Sequence, residues 1–160
     1  FTGGEPVARD AMAAIKASSD AEFRNAAIDA LIGARDPKAV AAIEEFVASG
    51  ALRVREARFY LRDLFIDADR RNGAWAWLRR DFARLTDPWP RDSHARFVGL
   101  PATLCTDSAH AEIDWYFKPM IDKLVGAPRV FANTLEKVDR CVAWRKAKSA
   151  ELAAAWRVLP

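Results

Sequence analysis

The sequence predicts an all-α protein, an irregular α-solenoid of about eight antiparallel helices. Three observations carry that expectation. Ala fills 32 of 160 positions while Gly and Pro number 7 and 8, and Ala is the best helix former where Gly and Pro are the worst. Apolar residues recur at spacings of three and four along nearly the whole chain, the period of a helix face, and no stretch alternates as a strand does. The turn signals between these segments are short, which places successive helices side by side and antiparallel. A chain of this length makes one domain, 1-160, with no internal linker.

The elements follow in order. Ser19-Asp20-Ala21-Glu22 reads as a capping box, with Phe23, Ala27, Ile28 and Leu31 behind it at helical spacing. Asp36-Pro37 is an N-cap followed by proline at the first helical position, and Val40, Ile43, Phe46 and Val47 lead to the stop at Ser49-Gly50. Val54, Ala57, Leu61, Leu64 and Phe65 mark the next helix, closed by Asn72-Gly73. Trp75, Leu78, Phe82 and Leu85 share one helical face and are expected to be buried, until Asp87-Pro88-Trp89-Pro90 breaks the helix. Phe97, Leu100 and Leu104 suggest a short helix bent by Pro101. Thr106-Asp107-Ser108 supplies capping side chains for a helix with Ile113, Phe117, Met120 and Leu124, kinked at Pro119. After Gly126-Ala127-Pro128 a long last helix carries Phe131, Leu135, Val138 and Val142, a second stripe expected to be buried, then Trp144, Leu152 and Trp156. Successive pairs without a dominant central stripe favour a HEAT- or armadillo-like array over a four-helix bundle.

Composition removes several function classes. The net charge is +3 with both signs interspersed, weaker than the concentrated basic excess of most nucleic-acid binders. No apolar run approaches the ~20 residues of a membrane span, and no secretory signal is visible. The chain opens at Phe1 rather than Met, so it reads as a fragment or processed piece, from a cytoplasmic or periplasmic parent. There are two histidines, His94 and His110, and two cysteines, Cys105 and Cys141, without metal-ligand spacing. The cysteines read as a reduced, half-buried pair, with a disulfide as the less favoured alternative. His110-Ala111-Glu112 matches half of a zinc deaminase signature whose P-C-x-x-C half is missing. HExxH, GxSxG, GxGxxG and Walker loops are absent. No catalytic residue, metal ligand or cofactor site is therefore expected in this chain.

Three ordered stretches resemble the C-terminal domain of M1-family zinc aminopeptidases of the bacterial alanyl aminopeptidase type. Residues 72–85 resemble the family's "gr..aW.fl..nw..l" helix, with Trp75, Trp77, Leu78, Phe82 and Leu85 on its apolar positions. Leu104-Cys105-Thr106, Glu112-Ile113 and Tyr116-Phe117 resemble "Fst....eev..FF", with Leu104 in place of Phe and His110 in place of Leu. Residues 129–144, with Thr134-Leu135-Glu136 and Val142-Ala143-Trp144, resemble the closing "R......tlE.i..ni.W" helix. The resemblance covers the chain from about residue 50 onward. It implies a HEAT-like, non-catalytic domain that caps the active-site cleft and shapes the peptide chamber. The zinc would sit in a catalytic domain upstream in the same polypeptide, held by HExxH and a distant Glu, and the parent would remove N-terminal residues from peptides.

One charged pattern is a candidate surface. Arg55, Arg58 and Arg62 recur at three and four, on one helical face where they would meet a peptide carboxylate. The competing reading is a solvated face neutralised by Glu56, Asp63 and Asp67. The partners expected are the upstream domain and peptide substrates, with nucleic acid disfavoured. The rival assignment is a free-standing HEAT-like binding module for nucleic acid or a protein, which the 18 Arg keep in play.

Overall fold

The computed structural model describes residues 4–156, and over them the chain is all α: eight α-helices and three short 3-10 turns, without a strand. It divides into two compact units, Phe1–Trp89 and Pro90–Pro160. The boundary falls inside the proline-rich break that ends the first aromatic helix.

The first unit holds α1 (Glu5–Ala17), α2 (Ala21–Ile32), α3 (Pro37–Ala48), α4 (Val54–Ile66) and α5 (Arg71–Thr86). Helix α1 packs on α2 and α3, α2 on α4, and α5 on both α3 and α4. Asp36 caps α3 as its sequence requires, accepting from the Ala39 N–H at 2.9 Å. The cap of α2 is Asp20, one residue beyond Ser19, accepting from the N–H groups of Glu22 and Phe23. Phe23 lies on the outer face of that helix, and Arg24, Ile28 and Leu31 are buried. Helix α4 stops at Ile66, and Asn72-Gly73, expected to close it, lies in the first turn of α5. Gly50 has φ +76°, and a Cβ there would come within 3.3 Å of Pro88 Cγ, so glycine suits both backbone and space. The core gathers Ile15, Leu31, Ile43, Tyr60, Phe65, Trp77 and Leu78.

Of the first aromatic stripe, Trp75, Leu78 and Leu85 are buried, but Phe82 is half-buried. The cause is local. Asp81 has φ −115° and ψ 18°, outside helical values, so α5 bends immediately before Phe82 and turns its ring off the line.

The second unit comprises α6 (Ala95–Gly99), α7 (Ala109–Phe117) and α8 (Ala127–Trp156). The 3-10 turns are Arg91–Ser93, Leu100–Thr103 and Ile121–Lys123. Pro101 and Pro119 do not bend helices here. Pro101 is the second residue of the 3-10 turn Leu100–Thr103 and Pro119 follows the end of α7, because proline lacks the N–H and crowds the preceding turn. Ser108 makes no side-chain capping bond, and Asp107 instead pairs with Arg145 and Lys146 of α8 at 2.9 and 3.2 Å.

Helices α6 and α7 and the 3-10 turns Leu100–Thr103 and Ile121–Lys123 all pack on α8. Its inward line runs Ala127, Phe131, Thr134, Val138 and Cys141. The expected stripe is thus only partly buried: Val138 is inside, while Phe131, Leu135 and Val142 are half-exposed. Thr134 takes the central place, its hydroxyl donating to the Val130 and Val98 carbonyls at 2.8 and 3.2 Å. Trp144 is 64% exposed, as are Leu152 and Trp156 to a similar or greater degree, on the part of α8 beyond its packed half. Ile113 and Phe117 of α7 are fully buried.

The cysteines are not reduced. Cys105 and Cys141 form a disulfide with their Cα atoms 5.5 Å apart. Cys105 directly follows the segment that packs on α8, and Cys141 lies on the inward line of α8, so packing brings together residues 36 apart in sequence.

Candidate functional site

Helix α4 is divided lengthwise by its sequence. Glu56, Ala57, Tyr60, Leu61, Leu64 and Phe65 point inward, so Arg55, Arg58, Phe59 and Arg62 fall together on the opposite side. Phe59 is half-buried, and three guanidinium groups gather around its ring, Arg62 at 4.8 Å from the centroid and Arg55 and Arg58 each at 5.6 Å. Exposed contacts of this kind contribute about 0.5–1 kcal/mol each. They hold like charges near one another beside an apolar ring.

The carboxylates that could neutralise this face are mostly engaged elsewhere. Glu56 turns into the core, where Arg24 Nε and Nη2 donate to its two oxygens at 2.8 and 2.6 Å. The Arg53 backbone N–H donates to it as well, at 2.9 Å. Asp67 pairs with Arg35 at 2.8 Å. Asp63 alone of the three serves the face, meeting Arg62 at 2.8 Å. Among the described residues, Arg55 and Arg58 have no carboxylate within ion-pair distance. The expectation of a neutralised face therefore holds for Arg62 and fails for its two neighbours.

The Arg24–Glu56 pair is structural. Both side chains are buried, and the guanidinium also donates to the Ile15 and Ser18 carbonyls, tying the α1–α2 connection to α4. The hydrogen bonds from Arg24 hold the Glu56 carboxyl below its ordinary range against the opposing effect of burial. On the surface, Arg80 and Arg84 of α5 reach Glu44 and Glu45 of α3 at 2.7 and 2.6 Å. Those acidic neighbours serve as helix-to-helix ties, not as an acid–base pair.

In the second unit His110 Nδ1 lies 2.8 Å from Asp139 Oδ1. That pair lines a small surface cavity with Thr106, Asp107, Val138 and Lys146. His110 thus has a structural partner on α8. Among the described residues no group of three or more His, Cys, Asp or Glu side chains is placed to hold a metal ion. No helix among them is long and apolar enough to cross a membrane.

The structure brings Arg55, Arg58 and Arg62 together and adds Phe59, which the charge spacing did not single out. Its signal was available: Phe59 sits one residue after Arg58 and three before Arg62, inside the arginine stripe. No protein-family model matches the chain, and no curated protein matches it.

Proposed function

We propose that this chain is a non-catalytic helical domain of an M1-type zinc aminopeptidase, which caps the active-site cleft and shapes the peptide chamber. The observation that carries the reading is where the three resembling stretches fall. They occupy α5, the Leu104–Phe117 segment and α8 in the family's order; Trp75, Trp77, Leu78, Leu85, Leu104, Ile113 and Phe117 of the first two are buried, while Phe82 is half-buried and, in the third, Leu135 and Val142 are half-exposed and Trp144 is exposed. In α5 and the Leu104–Phe117 segment the resembling positions are packing positions, which suits a domain whose part is to form a wall. In this reading the HEAT-like array continues upstream, and zinc and its ligands belong to the catalytic domain.

Within that wall the Arg55–Arg58–Arg62 face would meet the far end of a peptide. Guanidinium groups pair with a terminal carboxylate, and Phe59 offers apolar contact beside it. In the full-length enzyme, Arg55→Ala with Arg58→Ala should raise KM for peptides several residues long and leave single-residue chromogenic substrates unchanged. Equal effects on both substrate types would remove the carboxylate role.

The second reading is a free-standing binding module, favoured by the same two unneutralised arginines. It separates cleanly from the first. A reading frame that encodes HExxH upstream supports the aminopeptidase, and one that lacks it leaves the module. Were nucleic acid the ligand, binding would weaken steeply with added salt as counterions are released.

A further inference from the structure

A second cleft lies in the first unit, unconnected with the arginine face. It has a volume of about 250 Å³ and is walled by the end of α2, α3, α4 and the start of α5. That is slightly smaller than the ~300–1,000 Å³ of sites for drug-sized ligands. Gly73 at its rim leaves space where any other residue would place a Cβ.

Tyr60 lines this cleft, is fully buried, and its hydroxyl has no hydrogen-bond partner. A buried hydroxyl left unmatched costs about 1–3 kcal/mol, so an orphan beside a cavity asks for a ligand. Arg70, which lines the same cleft, is the side chain that approaches that oxygen without completing a well-formed hydrogen bond, and Glu44 is the opposing charge. Burial pushes the phenol up to about 12 against the pull of Arg70, so it stays protonated and able to donate.

The lining carries two cations and two anions, Arg35, Arg70, Glu44 and Asp69. Arg35 is committed to Asp67, and Glu44 gives one oxygen to Arg80. Arg70 donates to the Ile32 carbonyl and keeps its positive charge without a carboxylate partner. Asp69 has no ion pair among the described residues. A lone anion would meet Glu44 and Asp69, and a lone cation would meet Arg70. A small molecule carrying both charges satisfies the whole set.

We propose that this cleft binds a small zwitterion of the free α-amino-acid class, its carboxylate toward Arg70 and the Tyr60 hydroxyl and its ammonium toward Asp69 and Glu44. The inference rests on the cleft alone and stands apart from the aminopeptidase reading.

The test is calorimetric titration of the chain with glycine, L-alanine and L-leucine, with acetate and methylamine as single-charge controls. An amino acid should bind, and both controls should bind at least about tenfold more weakly, having lost one charged contact each. Tyr60→Phe should weaken amino-acid binding while the thermal midpoint stays unchanged or rises, because the orphan hydroxyl is gone. Asp69→Asn, at an exposed position, should weaken it without unfolding the chain. No binding at about 10 mM, a concentration generous for so small a ligand, would overturn the proposal. So would acetate binding as well as the amino acids, or binding indifferent to both substitutions.

Discussion

Arg24 and Glu56 are the residues whose loss should be felt most at the level of single side chains. Each leaves the other charged and buried if replaced alone, so Arg24→Ala or Glu56→Ala should cost about 3–5 kcal/mol in urea melts. Replacing both by apolar residues of similar volume should cost less than either single change. The pair also sets an acid limit. Glu56 titrates below its unfolded value, so its contribution is complete above the ordinary glutamate range and is lost as pH falls through the depressed folded value. Melts at pH 7 and pH 3 should show that loss in the wild type, and Glu56→Gln should flatten the difference. A second comparison separates residues that the sequence treats alike. Leu78→Ala, at a fully buried position, should cost about 2–5 kcal/mol, and Phe82→Ala should fall below the ~3–5 kcal/mol usual for a buried phenylalanine. Periodicity places both on one stripe. It does not register the bend at Asp81, which depends on how α5 packs.

At the scale of elements, caps and breaks were the most readable feature. Asp36-Pro37, Ser49-Gly50 and Asp87-Pro88 each end or begin a helix where local backbone chemistry demands it. Interior prolines lie outside the α-helices: Pro101 is in the 3-10 turn after α6 and Pro119 in the turn after α7, because proline lacks the N–H that a continuing helix needs. The inward line of α8 was legible in period but not in content. Buried Thr134 meets the Val130 carbonyl of its own helix and the Val98 carbonyl opposite, the second a long-range contact that spacing does not contain. The sequence ranks the disulfide behind a reduced pair for the same reason. Cys105 and Cys141 sit in no motif, and only the packing of the Leu100–Thr103 turn on α8 brings them together. Thiol titration of the unfolded, unreduced chain should find no free thiol at either position. Reduction, or paired Cys105→Ser and Cys141→Ser changes, should destabilise the second unit by about 2–4 kcal/mol, the usual effect of releasing a closed loop of this size. Unaltered stability on reduction would show the bond adds nothing to a fold already fixed by packing.

On the scale of the whole molecule, helix content was legible from composition and period, since alanine abundance and three–four spacing are properties of the chain itself. The candidate face was legible too, as the arginine spacing on α4, but its charge balance was not. By sequence distance Glu56 and Asp67 are neutralising neighbours, while the fold sends one into the core and the other to Arg35. That diversion leaves Arg55 and Arg58 without carboxylates within ion-pair distance. The proposed role, the wall of a zinc aminopeptidase whose chemistry lies upstream, is open to direct test. The most direct measurement is the chelator-sensitive release of N-terminal residues from peptides by the full-length gene product, run beside the 160-residue chain alone. The full-length protein should carry zinc and cleave, losing activity to chelation, while the chain alone should do neither. A full-length protein without zinc-dependent aminopeptidase activity, or stoichiometric zinc and peptide cleavage by the isolated chain after repurification, would contradict it.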